Sequence, residues 1–173
     1  DLCVGKTVLD LCCYTGGFSL AAAYGGAEAV IGVDLDEAAI EQAEKNAALN
    51  ELDVAFQHAD VFDYLRAGPT AQVVILDPPK LAKRKDELPR ARNKSIDMHE
   101  LALKAVAPNG VLLTFSCTGL FSPDDLEFHV RVGAARAGRS VRVLNRLSQP
   151  PDHPVHVDCP EGRYLCGSLC YVS

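Results

Sequence analysis

Three apolar runs in this chain each end in residues that can carry out chemistry, and this pattern constrains the fold. The runs are 73–76 before Asp77, 111–115 before Ser116 and Cys117, and 7–11 before a glycine turn at 14–18. In an open parallel sheet the strands end at one edge, and ligands bind in the crevice there. A carboxylate, a thiol and a glycine turn are therefore expected to line one crevice.

Strand-like and helix-like patterns alternate along the chain, which is typical of an α/β protein with a mostly parallel sheet and helices on both faces. Strands are predicted at 7–12, 29–34, 53–58, 72–77, 111–116, 141–147 and 164–172, and helices after Gly17 and at 36–49, 61–67, 95–107 and 123–137. No helix is predicted between the last two strands, so they are expected to form an antiparallel closing pair.

The length of 173 residues predicts one domain, 1–173. The chain lacks an initiator Met and begins just before a core strand, so we expect it to be a fragment of a longer protein. No segment is long and apolar enough for a membrane span or a leader. Seven scattered cysteines indicate reduced thiols in a cytoplasmic protein. Cys166 and Cys170 share a strand face near Cys159, but their spacing is not CxxC, and we expect no metal.

The net charge of −6 argues against indiscriminate binding to nucleic acids. However, seven cations fall in one short segment, named the basic segment here: Lys80, Lys83, Arg84, Lys85, Arg90, Arg92 and Lys94. This segment follows a strand and should lie at the crevice mouth, where it can contact phosphates. The alternative interpretation of the basic segment is a solvated loop that contacts no ligand.

The glycine turn after the first strand predicts a nucleotide cofactor, but it contains only Gly16 and Gly17 and lacks GxGxxG. The carboxylate of Asp10 would repel a pyrophosphate and attract the ammonium and sulfonium groups of S-adenosylmethionine. The glycines permit a positive φ and close approach of the backbone. Asp34, at the end of the second strand, can accept both ribose hydroxyls. Asp60, at the end of the third, can accept from the adenine amino group.

Two simpler interpretations remain open for these acids, because Asp36 and Asp60 each precede a predicted helix and can act as N-caps. Three aspartates at successive strand ends, together with the glycine turn, nevertheless favour a cofactor site. The residues predicted to bind the cofactor are Asp10, Cys12, Tyr14, Thr15, Gly16, Gly17, Phe18, Asp34, Leu35, Asp60, Val61, Asp77 and Pro78.

This combination resembles the class I S-adenosylmethionine-dependent methyltransferases. The segments LDLCCYTGGFS, GVDLDEAAIEQAEKNAALN, LDPPKLAK, LLTFSCTGLFS and DHPVHVDCPEGRYLCG resemble, in family order, the catalytic domain of the bacterial ribosomal RNA large-subunit methyltransferase I family, which makes 5-methylcytosine. The resemblance implies a Rossmann-like seven-stranded methyltransferase sheet with a reversed last strand. It also implies RNA as substrate, and an N-terminal PUA domain and linking domain that are absent here.

Carbon 5 of cytosine is too weakly nucleophilic to take a methyl group directly, so a thiolate must first add to carbon 6. Cys117 is the predicted nucleophile, and its surroundings should be electropositive and partly exposed. Lys80 or the sulfonium can supply the positive charge, and Asp77 can bind the N3/N4 edge of the ring. In related enzymes a cysteine that assists release stands where this chain has Lys80, so the proton acceptor for carbon 5 is not identified. His153 could reach the site, but it is interpreted as a turn residue.

Three other functions are compatible with parts of the pattern. A guanine-nitrogen methyltransferase also uses an Asp-Pro-Pro motif but would not need Cys117, which would then be a packing residue. A non-catalytic RNA-binding scaffold would bind cofactor without turnover. Asp10 and the missing third glycine disfavour an NAD-dependent oxidoreductase. The pattern does not indicate an oligomeric state.

Overall fold

Seven strands form one sheet in the computed structural model, which describes residues 2–151 and 153–173. The strands are β1 (Thr7–Leu11), β2 (Ala29–Asp34), β3 (Ala55–His58), β4 (Ala71–Leu76), β5 (Val106–Ser116), β6 (Val141–Leu147) and β7 (Cys166–Val172). Their order is β3-β2-β1-β4-β5-β7-β6. Only β7 runs against its neighbours, which confirms the predicted sheet with a reversed last strand.

Five α-helices occur among the described residues: α1 (Gly17–Tyr24), α2 (Glu37–Leu49), α3 (Val61–Arg66), α4 (Leu88–Ala105) and α5 (Pro123–Ala137). Short 3-10 turns lie at Lys85–Glu87 and Pro160–Gly162. Within the described ranges, no helix has the length and apolar character needed to cross a membrane.

Helices cover both faces of the sheet, as predicted. Side chains alternate along a strand, so Leu9 and Leu11 of β1 join the larger core with α3, α4 and α5. Val8 faces the other way and packs in a second cluster with Ala22 of α1. Asp10 shares the parity of Val8, so the alternation directs its side chain toward α1.

Two element boundaries differ from the prediction by more than two residues. Helix α4 begins at Leu88 rather than at residue 95, so its first two turns contain three of the seven cations of the basic segment. A run of charges is typical of a loop. In the structure, however, Ala91 and Ser95 are buried, and Pro89 is compatible with the first turn of a helix. Strand β5 begins at Val106 rather than at residue 111, and its pairing with β4 shifts register between Ala71 and Val73.

Candidate cofactor and substrate site

A cavity of about 630 Å³ opens at the carboxyl edge of the parallel strands. This volume suits a small ligand. Its walls follow the sheet order: Asp60, Val61 and Phe62 after β3, Asp34, Leu35 and Asp36 after β2, Cys12 and Tyr14 after β1, Asp77, Pro78, Pro79 and Leu81 after β4, and Cys117 after β5. Lys94 and Met98 of α4 also line it, as do Pro150, His153, Tyr164 and Leu165 of the connection from β6 to β7.

The turn after β1 has an unusual backbone. Cys12 and Tyr14 have φ values of 62° and 49°, a left-handed region that non-glycine residues rarely adopt. Gly16 has a φ of 85°, and a Cβ atom there would lie 2.9 Å from the ring of Phe56. Gly16 is therefore required both for its conformation and for its close packing.

The carboxylates of Asp34 and Asp60 are held by backbone N–H groups. Asp34 accepts from Tyr14 N at 2.8 Å through Oδ2 and from Asp36 N at 2.9 Å through Oδ1. Asp60 caps α3 by accepting from Phe62 N at 2.8 Å and Asp63 N at 3.2 Å, both through Oδ1. Each carboxylate therefore has a fixed orientation and retains free acceptor lone pairs.

Cys117 and Asp77 lie at the ends of neighbouring strands, because β4 pairs with β5 in parallel register. The loops after these strands are joined where Leu81 N donates to Thr118 Oγ1 at 3.0 Å. The thiol of Cys117 is half-buried and donates to the carbonyl of Pro78 at 3.7 Å. The loop contacts therefore hold the thiol beside the Asp77-Pro78-Pro79 turn.

Burial is the main cause of the pKa shifts of Asp77 and Cys117. It raises the pKa of the Asp77 carboxyl above its usual value. It also raises the pKa of the Cys117 thiol, and the charge of Asp77 adds to that effect, while Lys80 acts in the opposite direction. The thiol is partly exposed as expected, but its pKa is raised rather than lowered, because burial and Asp77 outweigh Lys80.

Comparison with known proteins identifies the family. The family model for S-adenosylmethionine-dependent methyltransferases matches residues 1–165. The chain belongs to this family. S-Adenosylmethionine is therefore its cofactor, as the aspartates at the strand ends and the glycine turn predicted.

Curated relatives of this methyltransferase are similar over nearly the whole chain. A protein from Tolumonas auensis named ribosomal RNA large subunit methyltransferase I is 43% identical over 169 residues, which cover 94% of this chain and 43% of that protein. A protein of the same name from Aeromonas hydrophila is 44% identical over 170 residues, covering 94% and 43%. The chain thus spans less than half the length of these relatives.

Solved structures agree with the fold and the cofactor. SMU.776, a candidate methyltransferase crystallised in complex with SAH, superposes with a TM-score of 0.83 and 27% identity, covering 98% of this chain and 46% of its own. A SAM-dependent methyltransferase candidate from Streptococcus mutans gives a TM-score of 0.79 and 26% identity, with coverages of 98% and 45%.

The cavity brings together nine of the predicted site residues: Cys12, Tyr14, Asp34, Leu35, Asp60, Val61, Asp77, Pro78 and Cys117. Asp36 caps α2, as its alternative interpretation held, by accepting from Ala38 N and Ala39 N. Asp60 combines both interpretations, because it caps α3 and also lines the cavity.

Asp10 lies behind the cavity wall rather than on it. Only 1% of its surface is exposed, and its Oδ2 accepts from the Ser19 hydroxyl of α1 at 2.7 Å. Its Oδ1 is buried without a hydrogen-bond partner among the described residues. Burial raises the pKa of this carboxyl to about 6. The alternation of β1 places Asp10 under α1, which sequence reasoning did not take into account.

The remaining predicted residues lie around the cavity rather than on its walls. Gly17 opens α1 without a positive φ and with open space around it, so the expected positive φ applies to Gly16 alone. Phe18 stacks on Phe115 with ring centroids 5.3 Å apart. The carbonyl of Thr15 accepts from Asn46 of α2 at 3.0 Å. Lys80 lines an adjacent cavity with part of the basic segment.

Sequence reasoning considered only His153 from the connection between β6 and β7 and missed the other residues that it contributes to the cavity. Because β7 is reversed, its first residues lie at the same edge as the carboxyl ends of the other strands, and Tyr164 and Leu165 reach the cavity from there. His153 lines the same wall, although its motif resembled a simple turn. The predicted reversal of the last strand was the signal that could have pointed to this segment.

Within the described part of the chain, no three histidine, cysteine or acidic side chains are grouped so that they could hold a metal ion.

Proposed function

We propose that this domain transfers the methyl group of S-adenosylmethionine to carbon 5 of a cytosine in large-subunit ribosomal RNA, through a covalent adduct on Cys117. One observation carries the proposal: the thiol of Cys117 and the carboxyl of Asp77 lie in one cavity with Asp34 and Asp60. A nucleophile, an acid and two candidate cofactor ligands thus share one chamber. The names of the relatives support ribosomal RNA as the substrate.

The cofactor's adenosine is assigned to the side of the cavity at the carboxyl ends of β2 and β3. The fixed carboxylate of Asp34 can accept from ribose hydroxyls. The Oδ2 atom of Asp60, which has no hydrogen-bond partner among the described residues, can accept from an amino group. Val61 and Phe62 offer apolar surface to a ring. When bound, S-adenosylmethionine supplies an electrophilic methyl group.

Cys117 and Asp77 act on the cytosine at the β4 and β5 end of the cavity. Asp77 can hydrogen-bond the N3/N4 edge of the ring and stabilise the protonated base, which makes carbon 6 more electrophilic. The raised pKa of Cys117 keeps the thiol neutral in the free protein. We therefore expect ionisation of Cys117 to follow ligand binding, because a positive charge brought beside the thiol offsets the effect of Asp77.

The target base must leave its helix or come from a single strand, because a stacked base cannot offer carbon 6 to a half-buried thiol. Cations around the entrance suit the phosphates beside such a base. Lys80, Lys83, Arg90 and Lys94 line the cavity next to the site. Lys94 lines both cavities, so the cationic surface is continuous with the chamber.

Trapping with 5-azacytidine RNA tests the covalent step. The ring nitrogen at position 5 carries no proton to lose, so the wild-type full-length protein should form an adduct that survives denaturation. Cys117→Ser provides a far weaker nucleophile and should abolish both trapping and turnover while cofactor affinity stays near wild type. Cys159→Ser changes an exposed cysteine and should trap normally.

Nucleoside mass spectrometry of ribosomal RNA from a deletion strain tests the product and the substrate. The strain should lack one 5-methylcytosine in the large subunit, and only the wild-type gene, not Cys117→Ser, should restore it. Full turnover by Cys117→Ser would contradict the covalent mechanism and favour a guanine-nitrogen methyltransferase. Unchanged ribosomal RNA in the deletion strain would exclude this substrate.

A further inference from the structure

The connection from β6 to β7 covers the end of the cavity that holds Cys117. Strand β6 runs parallel to the main sheet and ends at its carboxyl edge, and β7 begins at that edge. The connection must therefore start and finish beside the site. His153 and Tyr164 both contribute to the chamber wall that also contains Asp77 and Cys117.

His153 and Tyr164 form a pair within this wall. The Nε2 atom of His153 lies 3.1 Å from the Tyr164 hydroxyl. The two rings meet edge to face, with centroids 5.7 Å apart and an interplanar angle of 82°. When Nε2–H donates to the Tyr164 oxygen, the lone pair of Nδ1 is available to accept a proton. Tyr164 thus orients the imidazole and can select the basic tautomer.

The carboxylates and the lysine of the chamber are already engaged. Asp34 accepts two backbone N–H groups, and Asp36 and Asp60 each cap a helix. Asp77 is assigned to N3 of the ring. Lys94 lies 5.9 Å from the ring centroid of Phe62, on the cofactor side, and as a cation it cannot accept a proton. Among the described residues of the wall, His153 carries an imidazole that can accept a proton and has no assigned role.

We propose that His153 receives the proton from carbon 5 of the methylated cytosine adduct, with Tyr164 as its positioning residue. The inference rests on the proposed function. After methyl transfer, carbon 5 bears both a methyl group and a hydrogen, and Cys117 is bonded to carbon 6. Nδ1 of His153 takes the hydrogen as a proton. The C–H electron pair forms the C5–C6 double bond, and the C6–S bond breaks with its pair leaving on sulfur.

Adduct accumulation on ordinary cytosine RNA tests this step. His153→Gln in the full-length protein should still add its thiol and transfer the methyl group but eliminate slowly. With S-adenosylmethionine and unmodified RNA, the variant should accumulate a methylated, denaturation-resistant protein–RNA adduct, and kcat should fall about 100-fold or more. Tyr164→Phe should show a smaller loss of the same kind.

Trapping on 5-azacytidine RNA separates this inference from the proposed function. That analogue carries no proton at position 5, so His153→Gln should be trapped as fast as wild type. His156→Gln, at an exposed histidine of the same connection, should leave turnover unchanged. Slower trapping of His153→Gln on the analogue, or wild-type turnover on ordinary RNA without adduct, would overturn the role of His153. Absence of trapping in the wild type would instead overturn the covalent function itself.

Discussion

At the scale of single residues, burial of the Asp10 carboxyl lowers the stability of the ligand-free protein when the carboxyl is ionised. It is almost fully buried, it has one hydrogen-bonding partner in Ser19, and burial raises its pKa from 3.8 to about 6. Below pH 3.8 the carboxyl is neutral in both the folded and the unfolded chain, and there is no penalty. The penalty grows as the pH rises from 3.8 to about 6 and is constant above that range.

Asp10→Asn should therefore stabilise the ligand-free protein near neutral pH. The interval from 3.8 to about 6 corresponds to about 3 kcal/mol. The uncharged amide avoids this cost but buries an N–H group, so we expect a gain of about 1–3 kcal/mol in the free energy of unfolding. Urea unfolding monitored by circular dichroism should show the gain shrinking as the pH is lowered toward 3.8. A gain that is independent of pH would contradict the assigned ionisation.

Asp34→Ala should weaken binding of S-adenosylmethionine by roughly 1.5–3 kcal/mol, because ribose hydroxyls would lose a charged acceptor in a dry site. Isothermal titration calorimetry with the cofactor measures this loss. Asp63→Ala, which changes an exposed acid paired with Arg66, provides the control and should bind normally. Equal affinity in Asp34→Ala and wild type would remove Asp34 from the cofactor site.

At the scale of elements, a buried histidine connects helix α4 to strand β5. His99 donates from Nδ1 to the carbonyl of Ser95 at 2.7 Å, and its Nε2 accepts from the Thr114 hydroxyl at 3.0 Å. Burial lowers the pKa of this imidazole to about 4. The unfolded chain takes up the proton at a higher pH, so the contribution of His99 to stability is lost as the pH falls from 6.5 toward 4.

Thr114→Val should lower the free energy of unfolding by about 1–3 kcal/mol, because it keeps the side-chain shape but leaves His99 Nε2 buried without a donor. Chemical denaturation at neutral pH measures the change. Thr70→Val, at an exposed threonine, should have little effect. An unchanged stability in Thr114→Val would mean that this hydrogen bond does not connect the two elements.

The whole molecule combines a net charge of −6 with a local surface of cations. Within the described chain, Arg84 pairs with Asp86 and Glu87, and Arg92 lies 3.5 Å from Asp125. The side chains of Lys83, Lys85 and Arg90 form no ion pair among the described residues and are exposed. The basic segment therefore contains cations neutralised within the fold and cations that can contact phosphates.

Replacing Lys83, Lys85 and Arg90 together by Gln should weaken RNA binding and flatten its dependence on salt. Three lost phosphate contacts correspond to a decrease of about 2–3 in the slope of log K against log salt concentration. Fluorescence anisotropy with the full-length protein over a series of KCl concentrations measures this slope. Arg84→Gln is the matched control, because its charge is already paired. A triple variant with the wild-type slope would mean that these cations are only solvated and do not contact RNA phosphates.

The sequence determined the sheet and the positions of most chemical groups along it. Continuous apolar runs with polar residues at their ends specify buried parallel strands, and topology brings those ends to one edge. Asp34, Asp60, Asp77 and Cys117 could be placed together for this reason. The start of α4 was missed because a run of charges hides a helix whose buried face is carried by small residues such as Ala91.

Only the tertiary structure decided what each group faces and how it ionises. Strand alternation turned Asp10 under α1, and burial with the charge of Asp77 raised rather than lowered the pKa of Cys117. The reversal of β7 brought His153 and Tyr164, distant in sequence from the other site residues, into the same wall. These outcomes depend on long-range packing and on desolvation. Both are properties of the assembled surroundings and are not encoded in any local pattern.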